Sequence, residues 1–471
     1  MRFDRFHSSI PTTVLAALAL LLVQVSGAWA ASTFERSAAE RGWHTTAHAL
    51  PLNASLRLTG VGQPGSNRSP AELELEKMVV VADDATLVVD GGDPVALRMT
   101  RTWLTGRVVG EPGSRVTVAI GEDGTTRGLV RGADGMRALL DTTEGGLSMQ
   151  AVEDDTRRGQ FACGNDASLT PPPLPTERGE TPVLQDVPIG GFTARVALET
   201  DHEYFALFGN VDDAAAYAAD LIAFASTIYQ AEADTALGLV SLSLWTTSDD
   251  PWTQTGSSCR LSEFGEYWNE NNGGVDRSLA HFLSGANLGG GIAWVGVLCQ
   301  GAFNTGASCP GMAASGLYGG DYGVTGNLSG AFDMANPQSV WDIVATSHEI
   351  GHNFSSPHTH CYAGIDGNPD DIDQCYGAQA GCYSGPASLP GPAGQGSGTL
   401  MSYCHLQSGG MSNISLTLGL DHQYGNAPQR VPDRMLGHVI QRESSFPGCL
   451  TTPLTLDGPV FGDDFESGQT D

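Results

Sequence analysis

Apolar positions change their period along this chain, and the change marks its organisation. From residue 31 to about 165 they come in short β-branched or alternating runs, among them Met78 to Ala82, Thr86 to Val89 and Arg115 to Ile120. Gly, Asp and Pro separate the runs, as in Gly91-Gly92-Asp93-Pro94 and Glu111-Pro112-Gly113. Short runs divided by turn residues predict a β-rich unit. A polar stretch from Thr170 to Gly179 follows, opened by Pro171-Pro172-Pro173. Such a stretch is stiff and exposed, and suits a domain boundary.

From Phe192 the pattern becomes mixed. Arg195 to Glu199 and Leu237 to Trp245 read as strands. Between them Tyr217, Leu221, Phe224 and Ile228 share one face of a helix, with Asp212 as its cap. Val275 to Leu283 predicts another helix, and Gly289-Gly290-Gly291 leads into a strand from Ile292 to Leu298. A further helix is expected from about Val340 to Asn353. Ser339 stands at its N-cap and Asp342 three residues on, an acidic variant of the capping box. Alternating strands and helices predict a mixed α/β domain. The expected division is 1–30, a β-rich 31–185 with its linker, an α/β domain at 186–450, and an acidic tail at 451–471.

A hydrophobic content of 41% over 471 residues supports packed cores rather than disorder. The net charge of -30 argues against nucleic acid or an anionic membrane surface as partner. The N-terminus carries Arg2 and Arg5, then an apolar run from Val14 to Val25, then Ala28-Trp29-Ala30. This pattern predicts a secretory signal cut after Ala30. The run falls short of the ~20 residues that span a bilayer, and no later segment is apolar for long enough. The chain is therefore expected to be secreted, which permits disulfides among its nine cysteines. Eight lie after residue 250, and Cys163 stands alone upstream.

The chemistry centres on His348-Glu349-Ile350-Gly351-His352, with His358 six residues further on. Residues four apart on a helix share a face, so His348 and His352 present two imidazoles to one point. Imidazole suits zinc, and a catalytic zinc takes three protein ligands and one open position. Glu349, beside His348, is placed to act as a general base on water at such a metal. His358 reaches the same point only if the helix ends, and Pro357 blocks its continuation. No Glu occurs between His352 and Glu443, which leaves little for a zinc site with a downstream glutamate ligand. His360 competes with His358 for the third position.

Together with Gly398-Thr399-Leu400-Met401-Ser402-Tyr403-Cys404, the histidine segment resembles the metzincin clan of zinc peptidases. His-Glu-Ile-Gly-His-Asn-Phe is most similar to the adamalysin or reprolysin family. The resemblance covers roughly residues 190–450. It implies a zincin-like catalytic domain with a twisted mixed sheet, an active-site helix, one catalytic zinc on His348, His352 and His358, and a smaller half after His358. Residues 31–185 are then expected to be a pro-domain that inhibits its own enzyme. Ile292 to Leu298 would be the edge strand that pairs with an extended peptide or protein substrate. Met401 would be a structural floor beneath the histidines.

Two positions depart from the adamalysin pattern. Ser355 stands where the family has glycine, in a turn that uses positive φ. Tyr403 follows Met401 by two residues, as in astacins and serralysins, where a tyrosine contacts the zinc or the oxyanion. It is a candidate catalytic residue or a packed side chain. Cys163, in Phe161-Ala162-Cys163-Gly164, resembles the cysteine switch of metzincin zymogens and is a candidate fourth ligand before activation. The alternative is a cysteine that is free or paired elsewhere. Cys361, Cys375, Cys382 and Cys404 read as disulfides or as a structural zinc site. Asp366, Asn368, Asp370, Asp371 and Asp373 alternate oxygens as calcium loops do, but Asp371 stands where such a loop needs glycine. The leading expectation is a secreted zinc endopeptidase made as a zymogen. The alternative is a secreted binding protein or effector on the same scaffold.

Overall fold

The computed structural model describes residues 32–455 apart from 41, 53, 64–68, 133–136, 144–145, 153–163, 165–190 and 332–338. The expected signal segment, Cys163, the proline-rich stretch and most of the acidic tail lie outside the described residues.

The punctuated runs near the N-terminus do form strands. They are β1 (Ser32–Ser37), β2 (Ala54–Val61), β3 (Ala71–Met78), β4 (Val81–Val89), β5 (Val95–Ala96), β6 (Thr102–Val108), β7 (Arg115–Ile120), β8 (Thr126–Arg131), β9 (Arg137–Thr143) and β10 (Gly146–Ala151). One short helix, α1 (Trp43–His48), lies among them. Eight strands make one sheet in the order β1-β2-β3-β6-β7-β8-β9-β10. Leu56, Leu58, Leu73, Leu75, Val116 and Val118 alternate inward from it.

The second sheet is built around β11 (Phe192–Thr200), whose nine residues are all buried. After α2 (His202–Ala206) come α3 (Val211–Ala233), β12 (Thr235–Leu244), α4 (Ser257–Asn271), β13 (Leu279–Leu283) and β14 (Gly291–Ala293). A hairpin of β15 (Phe303–Thr305) and β16 (Gly316–Gly319) precedes β17 (Tyr322–Thr325), α5 (Ser339–Asn353) and α6 (Arg430–Ser445). The strand order is β14-β17-β13-β11-β12-β4-β5. The interior pairs are parallel, and only the edge strands β14 and β5 run antiparallel to their neighbours. The fold is therefore mixed α/β.

Three local expectations are corrected. Val275 to Leu283 is not a helix: Leu279–Leu283 is strand β13, buried at all five positions between β11 and β17. A parallel strand covered on both faces shows no alternation, so its apolar run resembles a buried helix. The strand expected from Ile292 to Leu298 pairs only over Gly291–Ala293, and the chain then turns through Gly296 at φ 72°. Asn210, not Asp212, caps α3, its side-chain oxygen accepting the Asp213 N–H at 2.8 Å. Asp342 lies in the first turn of α5, where the side chain of the expected cap Ser339 lies outside the described residues. Its buried carboxylate accepts from the Tyr217 hydroxyl at 2.7 Å and from the Ser329 and Gly330 N–H groups at 3.0 Å. Helix α4 was not anticipated; Cys259 on it is bonded to Cys309.

The N-terminal residues do more than form their own sheet. Strand β4 leaves it and lies parallel to β12, with Thr86 opposite Ser241 and Val89 opposite Leu244. One hydrophobic core runs from Met78 and Trp103 through α3 to Met401. The junction is polar at Asp220 of α3, which is 1% exposed. Trp103 Nε1 donates to its carboxylate at 2.9 Å, and Arg101 and Arg127 pair with it at 2.8 and 3.0 Å. Leu454, within the expected tail, is buried, and the Asp83 N–H donates to its carbonyl at 2.8 Å.

Removing one member of a buried charge network leaves the others desolvated and unpaired. Asp220→Ala is expected to lower stability by about 3–5 kcal/mol, as read from denaturant unfolding. A loss under about 1 kcal/mol would show that the junction is not held this way.

Candidate active site

Helix α5 carries His348 and His352 on one face, their ring centroids 4.8 Å apart. Ile350 and the other apolar residues of the helix turn toward the core, so this face is held against the sheet. His358 returns to the same point, 5.2 Å from the His348 ring and 4.8 Å from the His352 ring. One ligand nitrogen from each of the three lies within 4.8 Å of the others.

The return depends on how the helix ends. Ser355 has φ +78°, in the left-handed region. Its N–H donates to the His352 carbonyl at 2.9 Å, and the Ser356 N–H reaches back to the Gly351 carbonyl at 3.1 Å. This pair of bonds is a Schellman closure, which normally has glycine at the left-handed position. The turn that the sequence placed at Ser355 is present, built without the glycine. Arg434 of α6 holds the Ser355 carbonyl at 2.6 Å. The chain just beyond the edge strand covers the other helix-end carbonyls: Gly296 N–H donates to His352 at 2.8 Å and Val297 N–H to Asn353 at 3.0 Å.

Each ring is oriented through Nδ1. His348 Nδ1 donates to the Leu400 carbonyl at 2.7 Å, and His352 Nδ1 to the Ser356 carbonyl at 2.7 Å. His358 Nδ1 donates to the Gln379 side-chain oxygen at 2.8 Å. Oxygens that only accept hold the proton on Nδ1 and leave Nε2 bare toward the centre, the form in which imidazole binds a metal. The buried Nε2 of His358 has no hydrogen-bond partner. Burial pushes His352 down to about 4 and His348 and His358 well below the usual histidine range, and the rings lower one another further in the latter two. All three are neutral near pH 7. The donor set and the bare His358 nitrogen fit a zinc ion.

Glu349 is fully buried, and its carboxyl lies against edge strand β14, where a Cβ on Gly291 would collide with it. The sequence does not announce that requirement for glycine; Gly291 reads there only as the lead-in to a strand. Met401 lies under the helix, where a Cβ on Gly351 would come to 2.5 Å from its sulfur. The Thr359 N–H donates to the Met401 carbonyl at 3.0 Å, joining this turn to the segment of His358. The Tyr403 ring lies 4.3 Å from His358 and 6.2 Å from His348. His360 does not join the trio. It stacks on the outer face of His358, at 5.3 Å and 9°, and its Nε2 is 2.7 Å from the Gln379 oxygen.

Eight cysteines form disulfides: Cys259–Cys309, Cys299–Cys449, Cys361–Cys382 and Cys375–Cys404. The four near the site are thus not a structural zinc cluster. In the acidic loop, Asp371 accepts the Ala363 N–H, Asp370 accepts from Asn426, and Asn368 accepts the Asp370 N–H, each at 3.0 Å. These side chains brace the loop, and Asp373 lies beside the Cys375–Cys404 disulfide.

Ser355 is strained where glycine is not, while glycine adds freedom to the unfolded chain. Ser355→Gly is expected to raise stability by about 0.5–1 kcal/mol, and Ser355→Val to lower it by about 1–2 kcal/mol. Thermal unfolding of both variants checks the sign; a destabilised glycine variant would show that the serine side chain contributes something the turn needs.

Residues 192–415 match Reprolysin_5, Metallo-peptidase family M12. Among solved structures the chain is similar to the crystal structure of metalloproteinase-II from Bacteroides fragilis, at 12% identity over 65% of this chain and 81% of that one, with a TM-score of 0.31. No curated protein matches it. The family match spans both the His348–His358 segment and the turn at Met401, and the chain carries a metzincin-like peptidase region.

Proposed function

We propose that the chain is a secreted zinc endopeptidase made as a zymogen. The observation that carries the reading is the convergence of three imidazoles whose Nδ1 atoms are all held by oxygen acceptors, with Glu349 beside them. His348, His352 and His358 would hold the ion. When bound there, zinc supplies Lewis acidity, making water a nucleophile near neutral pH and polarising a peptide carbonyl. Glu349 takes the proton of the attacking water and delivers it to the leaving amine. Its buried setting against β14 keeps that carboxylate close to a substrate strand lying along the edge. Tyr403, packed on His358, is the candidate donor to the oxyanion. Export is supported by the N-terminal segment and by the four disulfides.

Latency has its own support. Gly164 N–H donates to the Gly291 carbonyl at 3.0 Å, so the residue after Cys163 pairs with the same edge strand that Glu349 faces. In this reading the pro-segment takes the substrate's place and Cys163 supplies a thiolate to the open position.

Glu349→Ala is expected to keep its zinc and lose about 100- to 10,000-fold in cleavage of a denatured protein substrate, the range of a lost general base. Wild-type rates in the zinc-loaded variant would sink the mechanism. Cys163→Ala is expected to raise the activity of the uncleaved precursor about tenfold or more, because a strong ligand is removed. Unchanged latency on that substitution would remove Cys163 from the scheme.

A further inference from the structure

We propose that Gln379 is a positioning residue for His358, fixing the tautomer and ring plane of the third ligand; this rests on the zinc reading above. The supports of His348 and His352 are backbone carbonyls, at Leu400 and Ser356. His358 is held by a side chain, from 21 residues further along the chain.

The Gln379 oxygen lies 2.8 Å from His358 Nδ1 and 2.7 Å from His360 Nε2. An amide oxygen has two acceptor sites and no proton, so one atom accepts an N–H from each ring. With the amide reversed, its NH2 group would face both rings and drive the His358 proton onto Nε2, the nitrogen that must bind metal. The stacking of His360 on His358, 9° from parallel, keeps both N–H groups aimed at the shared oxygen. His360, a competing ligand by sequence, becomes the second donor on the same support.

The loop that delivers Gln379 is tied to the segment of His358. Cys361–Cys382 bonds the two covalently, and the Tyr383 N–H donates to the His360 carbonyl at 2.9 Å. Within the loop the Cys382 N–H donates to the Gln379 carbonyl at 3.3 Å. A ligand that follows a strained serine turn thus receives an orienting contact from outside its own turn.

The test is the zinc dissociation constant, measured by competition with a chelator on the full chain, alongside thermal unfolding of each metal-free protein. Gln379→Leu is expected to weaken zinc binding about 10- to 100-fold, the usual effect of losing a partner behind a metal ligand, while metal-free unfolding changes little. Gln379→Glu keeps an acceptor and is expected to stay within about threefold of the wild type, as is His360→Phe, which keeps the stack. A Gln379→Leu protein within about threefold of wild type would overturn the proposal. So would a Gln379→Glu protein as weak as Gln379→Leu. A wild-type protein that binds no zinc would overturn the underlying reading instead, which separates the two failures.

Discussion

The site depends on one backbone constraint: α5 must stop immediately after it has delivered its second histidine. A helix continued past His352 would carry His358 away along its axis. Instead the chain enters the left-handed region at Ser355, closes two backward hydrogen bonds, and returns His358 to the face it has just left. A residue with a Cβ pays for that conformation, and the surroundings hold it there. Arg434 grips the Ser355 carbonyl, and Gly296 and Val297 cover the carbonyls of His352 and Asn353. The segment following the edge strand is therefore also the cap of the helix that faces it.

Around that turn, orientation comes from contacts distant in sequence. The Leu400 carbonyl aims His348, and the next residue, Met401, fills the space left by Gly351 on the underside of the helix. One short segment thus sets both the direction of a ring and the depth of the helix. Below it regular structure is sparse, and Cys361–Cys382 and Cys375–Cys404 supply the constraint that strands and helices provide elsewhere.

The N-terminal residues share in this framework. Strand β4 extends the peptidase sheet beyond β12, and Asp220 gathers two arginines and an indole from the N-terminal strands onto α3. The linkage is both a continued hydrogen-bond ladder and a buried charge network, so the two parts of the chain are folded against one another through a common core.

Much of this was legible in the sequence, where the signal is local. The strands found between Ser32 and Ala151 follow from short runs broken by turn residues, and the pairing of His348 with His352 follows from helical spacing alone. The left-handed turn at Ser355 was marked by the glycine it replaces, and Pro357 forbade a longer helix. The failures share a physical cause, since they lie where neighbours rather than spacing decide. Leu279–Leu283 is a strand because β11 and β17 flank it on either side, and its uniform burial erased the period that would have announced it. Asp342 accepts from Tyr217 and from the backbone at Ser329 and Gly330, partners that no spacing announced. Gly291 owes its necessity to a carboxyl 58 residues away, and no pattern in a polar, glycine-containing loop marked Gln379. The sequence by itself determined which side chains are candidates for the chemistry, because residue type and helical period are properties of a single chain segment. Only the tertiary structure decided how each ring is turned and what supports it, because hydrogen-bond acceptors and packing partners come from segments that folding brings together.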